Sequence, residues 1–192
     1  MQESPRHRSC PGHTIAAYDR EHPQRRRLER FIQRVFARHH GATVHAFMPT
    51  LLAMEGQRNR VCGVVGFRRA ATEPLFLERY LDMPIELALG ERAGFSVPRT
   101  EIVEVGNLAS SSCRAACQLV AALPRVLLAD GNRWIVFTAT AAVRGMLAKF
   151  RAPVIELAAA TRDRLDDGDE WGRYYDTDPR VIAGYLPDGV SL

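Results

Sequence analysis

Apolar residues along this chain switch between two periods, and the switches mark where helices and strands are expected. Leu28, Phe31, Ile32, Val35 and Phe36 recur at i, i+3, i+4, i+7 and i+8, the spacing that lays one apolar stripe along a helix. Arginines fill the positions between, and Gly41 stands where such a helix would stop. His13–Tyr18 is short and β-leaning, an expected edge strand. Thr43–Met54 and Arg60–Phe67 read as two strands joined by a hairpin-like turn through EGQRN. Pro74–Gly90 mixes short helical and strand-like character, with Pro84 opening a helical turn. Thr100–Val105 reads as a strand leading through GNLASSS into a helix from about Cys113 to Ala129, in which Pro124 is expected to cause a kink or a break. Trp134–Thr138 is expected as a buried strand, Ala141–Phe150 as a short helix and Val154–Leu157 as a further strand. From Trp171 to Leu186 the chain is aromatic and reads as irregular.

A strand–helix–strand alternation calls for a parallel pair joined by a crossover helix. The hairpin in the first half adds an antiparallel part. The expected architecture is therefore a mixed α/β sheet flanked by helices, with several topologies left open. A chain of 192 residues suits one domain, expected over residues 13–192 after a polar, disordered tail at 1–12. Contents of 46% apolar and 25% charged residues are ordinary for a soluble globular protein. No apolar run approaches the roughly 20 residues that span a bilayer, and the first residues lack the apolar centre of a secretory signal. No transmembrane insertion and a cytoplasmic location are the expectations.

The net charge of +4 is modest, but Arg25, Arg26, Arg27, Arg30, Arg34 and Arg38 crowd one stretch with His39 and His40. One reading is the solvated back of an amphipathic helix; the other is a patch that attracts nucleic acid, anionic lipid or an acidic carrier protein. Nucleic acid is set aside, because the stretch lacks interleaved aromatics suited to base stacking. Cys10, Cys62, Cys113 and Cys117 form no CxxC pair, and no paired histidines accompany them. Buried or inert thiols and no metal are expected.

The chemistry concentrates in EIVEVGNLASSSCRAA, residues 101–116. Ser112 is a natural N-cap for the helix at Cys113. Free N–H groups at that helix start favour a phosphate, and Arg114 in the first turn adds a charge-assisted contact. There is neither a GxGxxG nor a Walker-type loop to support a nucleotide site. Gly106 within a strand pattern suggests a bulge or a close backbone approach. A bulge would free N–H groups for a thioester carbonyl and its developing oxyanion. Glu104 suits a general base if partial burial raises its pKa; the plain alternative is a surface or salt-bridged strand glutamate. Strand alternation would turn Glu101 and Glu104 to opposite faces.

Five segments carry a resemblance: FIQRVFARHHGATVHAFMPTLLAM, EPLFLERYLDMPIELAL, IVEVGNLAS, RWIVFTAT and WGRYYDTDPRVIAGYL. In this order they resemble the thermostable hemolysin family, a branch related to the GNAT acyltransferases and the acyl-homoserine-lactone synthases. The resemblance implies a GNAT-like fold and an acyltransferase that uses acyl-CoA or an acyl carrier protein as donor, with an amine, an amino acid among the candidates, as acceptor. It places the thioester in a V-shaped opening between the strand ending at Val105 and the strand Trp134–Thr138. The pantetheine arm would lie against Gly106, Leu108 and Ala109, and the phosphates at Ser110, Ser111, Ser112 and Arg114. Glu104 stands at the lactone synthases' acidic position and Asn107 where their arginine stands, so Asn107 would hold the carbonyl or the acceptor. Tyr174 and Tyr175 are candidate acids for the leaving thiolate, or packing residues of the C-terminal segment. Phe36 matches a phenylalanine of the lactone synthases' first helix, but Ile32 and Ala42 take the places of its arginine and tryptophan, which argues against lactone synthesis from S-adenosylmethionine. An acidic carrier protein would dock on Arg26, Arg27, Arg30 and Arg34. The alternatives are a membrane-active protein, as the family's description suggests, and an acyl-CoA-binding module without catalysis.

Overall fold

The apolar stripe forms the helix it predicts. In the computed structural model, which describes residues 8–10, 13–149 and 151–186, α1 covers Arg25–His40 with Leu28 and Ile32 fully buried. Gly41 ends it in a left-handed conformation, φ 66°, donating its N–H to Ala37 O. The strands are β1 (Arg8–Cys10), β2 (His13–Tyr18), β3 (Thr50–Glu55), β4 (Val61–Arg69), β5 (Ile102–Ser110), β6 (Trp134–Ala139), β7 (Val154–Ala159) and β8 (Arg180–Tyr185). The remaining helices are α2 (Ile85–Ala93), α3 (Cys113–Ala129) and α4 (Ala141–Lys149). Part of the expected tail is thus a strand, since Arg8–Cys10 pairs with β2. Residues 1–7, 11 and 12 of that tail, and Phe150, lie outside the described residues.

The eight strands of the described residues join one sheet in the order β1-β2-β3-β4-β5-β6-β8-β7. Every neighbouring pair is antiparallel except β5 and β6, the parallel pair that α3 connects. The mixed sheet flanked by helices is the architecture the sequence predicts, and four details differ from it. Strand β3 starts at Thr50 rather than Thr43, because side chains satisfy the preceding backbone: Gln33 Nε2 donates to Val44 O at 3.0 Å, and Asn107 takes Met48 N–H at 2.7 Å. Strand β5 runs on to Ser110 instead of stopping at Val105. Helix α3 continues through Pro124 without a break. Arg180–Tyr185, expected as irregular, is a strand inserted between β6 and β7, so the β6–α4–β7 unit does not place its strands side by side.

Helices cover both faces. On one face, Leu119, Leu123 and Leu127 of α3 pack on Leu52, Met54, Phe67 and Val103. On the other, Leu28 and Ile32 of α1 pack on Leu51, Ala53, Val64 and Ala109. Strand β3 therefore has both faces covered, which is why Leu51–Met54 reads as a continuous apolar run rather than an alternation. Farther along, Leu77, Ile85 and Leu89 bury Ile102, Val136 and Val181.

Candidate functional site

Strands β5 and β6 pair from Ile102↔Trp134 to Val105↔Phe137 and no farther. Strand β5 keeps its pairing with β4 as far as Ser110↔Gly63, so beyond Val105 its other edge has no strand partner among the described residues. A bulge accompanies the parting. The β4–β5 ladder jumps from Gly66↔Gly106 to Val64↔Ala109, leaving Asn107 and Leu108 opposite Val65 alone. Asn107 takes the left-handed conformation, φ 51°, which a short polar side chain tolerates better than most. The bulge falls just after Gly106. Gly106 and Gly66 meet the second expectation, a close approach, because both lie under Met48: a Cβ at Gly106 would stand 2.5 Å from Met48 Cε, and one at Gly66 2.5 Å from Met48 Cβ.

Two openings adjoin the parted strands and share Phe36. A cleft of about 680 Å³ is bounded by Leu108 and Ser110 of β5, Ala116 of α3, Ala142 of α4 and His39 and His40 of α1. A chamber of about 80 Å³ lies between Asn107 and Thr138, with Arg68, Trp171 and Tyr174 around it and Phe47, Phe76 and Tyr80 completing its wall.

Glu104 is 3% exposed. Its Oε2 accepts the Phe76 N–H at 2.8 Å and its Oε1 the Leu77 N–H at 2.9 Å. Burial pushes its carboxyl up to about 7, against those two bonds and the Arg68 guanidinium. Arg68 is its register partner on β4. Glu104 does not itself line the chamber; its neighbours Arg68 and Phe76 do. Glu101 belongs to a 3-10 turn, Arg99–Glu101, ahead of the strand, so the expected alternation does not apply to it.

The other expected residues divide. Asn107 lines the chamber, but its amide is spent on the chain before β3, with Oδ1 accepting from Met48 N–H and Nδ2 donating to Ala46 O at 3.3 Å. Tyr174 lines the chamber, burial pushes its phenol up, and its hydroxyl makes no hydrogen bond to any described residue. Tyr175 stands behind, its hydroxyl 2.7 Å from that of buried Tyr80. Gly106 is covered by Met48, and the Ala109 side chain is in the core, which leaves only its main chain available. Ser110 lines the cleft. Ser111 donates both its N–H and its hydroxyl to Cys62 O. Ser112 caps α3 as predicted, its Oγ accepting from Ala115 N–H at 3.2 Å, and Arg114 is exposed beside it.

The arginine stretch serves two purposes. Arg25 is buried and donates to Met48 O and Pro49 O while pairing with Glu29. Arg27 is tied to Glu55 and to Asn59 O. Arg26, Arg30 and Arg34 are exposed. Cys62, Cys113 and Cys117 are free thiols, with Cys113 exposed rather than buried. Among the described residues no three or more His, Cys, Asp or Glu side chains are grouped to hold a metal, and no helix is long and apolar enough to cross a membrane.

Sequence reasoning missed Arg68 and the aromatic wall of Phe47, Phe76 and Trp171. In GFRRA the arginine reads as a strand end, and only the register that sets Arg68 opposite Glu104 turns it to the site.

The sequence profile described as thermostable hemolysin matches residues 18–190. None of the curated proteins compared with the chain matches it. Among solved structures, the chain is similar to the acyl-homoserine-lactone synthase LasI at 17% identity, over 91% of this chain and 90% of that one, with a TM-score of 0.64. It is similar to the CoA-dependent lactone synthase BjaI, solved with SAM and isopentyl-CoA, at 15% identity over 92% and 85%, TM-score 0.63. It is also similar to FeeM, an N-acyl amino acid synthase from uncultured soil microbes, at 13% identity over 91% of each chain, TM-score 0.60. At these identities the likeness shows a shared fold.

Proposed function

This chain belongs to the thermostable hemolysin family, and on that footing we propose that it is an acyltransferase moving an acyl group from a pantetheine thioester, on CoA or a carrier protein, to an amine. The observation that carries this reading is the parting of β5 from β6 beyond Val105 and Phe137, with the wide cleft and the small chamber meeting there. A pantetheine arm threads the cleft beside Leu108. Its phosphates lie toward Ser110 and the first turn of α3, where the free N–H groups and Arg114 favour anions. The unpaired edge of β5 receives the thioester carbonyl with main-chain N–H groups as negative charge develops on its oxygen.

In the reaction the acceptor nitrogen attacks the carbonyl carbon, the C–N bond forms and the C–S bond breaks. The ammonium proton goes to Glu104, which lies behind Arg68 and Phe76 of the chamber wall, by way of a bridging water, a task its carboxyl near 7 suits at neutral pH. Tyr174, with its hydroxyl unengaged, gives a proton to the departing thiolate. Incubating the protein with acyl-CoA and amine acceptors tests this reading. Thiol release matched by N-acyl product is expected, and no thiol release across donors and acceptors would end it.

One observation favours a second reading, a thioester-binding module without catalysis. Both oxygens of Glu104 and the amide of Asn107 already serve the fold. That reading predicts binding of acyl-CoA with no turnover. Direct membrane lysis has no such support, and leakage of liposomes by the protein alone would be the result in its favour.

A further inference from the structure

Arg68 is a cation in a wall that is otherwise mostly aromatic. It lines the chamber with Phe36, Phe47, Phe76, Trp171 and Tyr174, and its side chain is only 16% exposed. A guanidinium so placed calls for a matching anion with hydrogen-bond acceptors. Its own surroundings supply one incompletely. Nη1 donates to Pro74 O at 2.9 Å. Nε is 3.7 Å from Glu73 Oε2, beyond hydrogen-bond reach, and that same oxygen takes Arg20 Nη2 at 3.0 Å. Glu104, the register partner, has both oxygens engaged by Phe76 and Leu77 N–H. Nη2 makes no hydrogen bond to any described residue.

We propose that Arg68 receives the carboxylate of the acceptor through its unengaged Nη2, so that the acceptors are free amino acids rather than simple amines. An Arg–carboxylate contact fixes orientation as well as affinity. With the carboxylate on Arg68, the α-amino group lies toward Asn107 and Thr138, where the strands part. The chamber is small, about 80 Å³, and suits a carboxylate and its α-carbon better than the end of a polymer. The identity of the acceptor rests on the acyl-transfer reading; the carboxylate site does not, and its test is separate.

The test titrates an N-acyl amino acid and its primary amide into wild type and Arg68→Gln, reading Trp171 fluorescence against a Trp171→Phe control. Wild type should bind the acid about ten- to a hundredfold more tightly than the amide, the scale of one hydrogen bond to a charged group, and Arg68→Gln should bind the two alike. Equal affinities in wild type, no binding of either, or a preference that survives in Arg68→Gln would each overturn the proposal. In turnover, Arg68→Gln should raise KM for an amino acid by the same factor and leave KM for its amide unchanged. A merely structural role would affect both acceptors equally. Absence of turnover with an intact acid preference would instead indict the acyl-transfer reading alone.

Discussion

At the residue scale, two glutamates meet opposite environments. Glu104 is buried among backbone N–H donors and its carboxyl rises to about 7; burial also pushes Glu78 up, but the Arg99 guanidinium and the N–H groups of Ile85 and Leu75 outweigh it and hold that carboxyl at about 2. The signs follow from which state binds protons more tightly. For Glu104 the folded pKa lies above the unfolded value, so its contribution to stability is present below about pH 4.5 and is lost as pH rises through 7. Glu104→Gln should remove that decline, as thermal melts between pH 4.5 and 7.5 would show. As the base, Glu104 should also set a rising limb near pH 7 in kcat/KM, and the same variant should lose the limb along with about a hundredfold or more of the rate. A retained limb would exclude Glu104 from proton transfer. Gly66→Ala should destabilise by about 1–3 kcal/mol, because its Cβ would stand 2.5 Å from Met48 Cβ, whereas Gly106→Ala, which meets only the flexible tip of Met48, should cost less, both measured by urea unfolding.

At the element scale, the short turn Phe76–Tyr80 and helix α2 are held to the sheet by charge. Arg99 pairs with Glu78 and Glu86 at 2.6 Å, and Glu78 accepts the N–H groups of Leu75 and Ile85. Because the Glu78 pKa is depressed, its stabilisation is present above about pH 4.5 and falls away toward pH 2. Arg99→Ala should cost about 2 kcal/mol at neutral pH and flatten the acid limb of stability, followed by circular dichroism. This scale also shows what the sequence could tell. The stripe Leu28–Phe36, the cap at Ser112 and the parallel pair around α3 follow from local periodicity and capping, and all three form. The place of β8 does not, because RVIAGY follows a run of short turns and its partners lie 51 residues away at Trp134↔Tyr185 and beside β7. EVGN pointed to the bulge, since Gly106 marks the close approach; the chamber wall stayed hidden because Phe36, Phe47, Phe76 and Trp171 come from four separate segments that only the fold assembles.

At the scale of the whole molecule, every strand of the described residues contributes to one sheet, and we propose that the chain from residue 13 onward unfolds as a unit. A single denaturant transition by fluorescence and circular dichroism alike is the expected result. Arg26, Arg30 and Arg34 form an exposed basic row on the outside of α1, while Arg27 is withdrawn from it by Glu55. If an acidic carrier protein brings the donor, Arg26→Glu with Arg30→Glu should lower carrier-dependent turnover several-fold, more so at low salt, and leave CoA-dependent turnover unchanged. Equal loss with both donors would argue against docking there.

A thioester entering between β5 and β6 must pass Ala142 at the mouth of the cleft. This residue is exposed on the first turn of α4 and borders the 680 Å³ cleft, so Ala142→Trp fills the donor path without touching the core. Thiol released from acyl-CoA in the presence of an amino acid is the quantity to measure in wild type and in this variant. Stoichiometric release by wild type and near-complete loss in Ala142→Trp, at an unchanged melting temperature, is the predicted outcome. Undiminished release by Ala142→Trp would contradict the placement of the thioester between the parted strands.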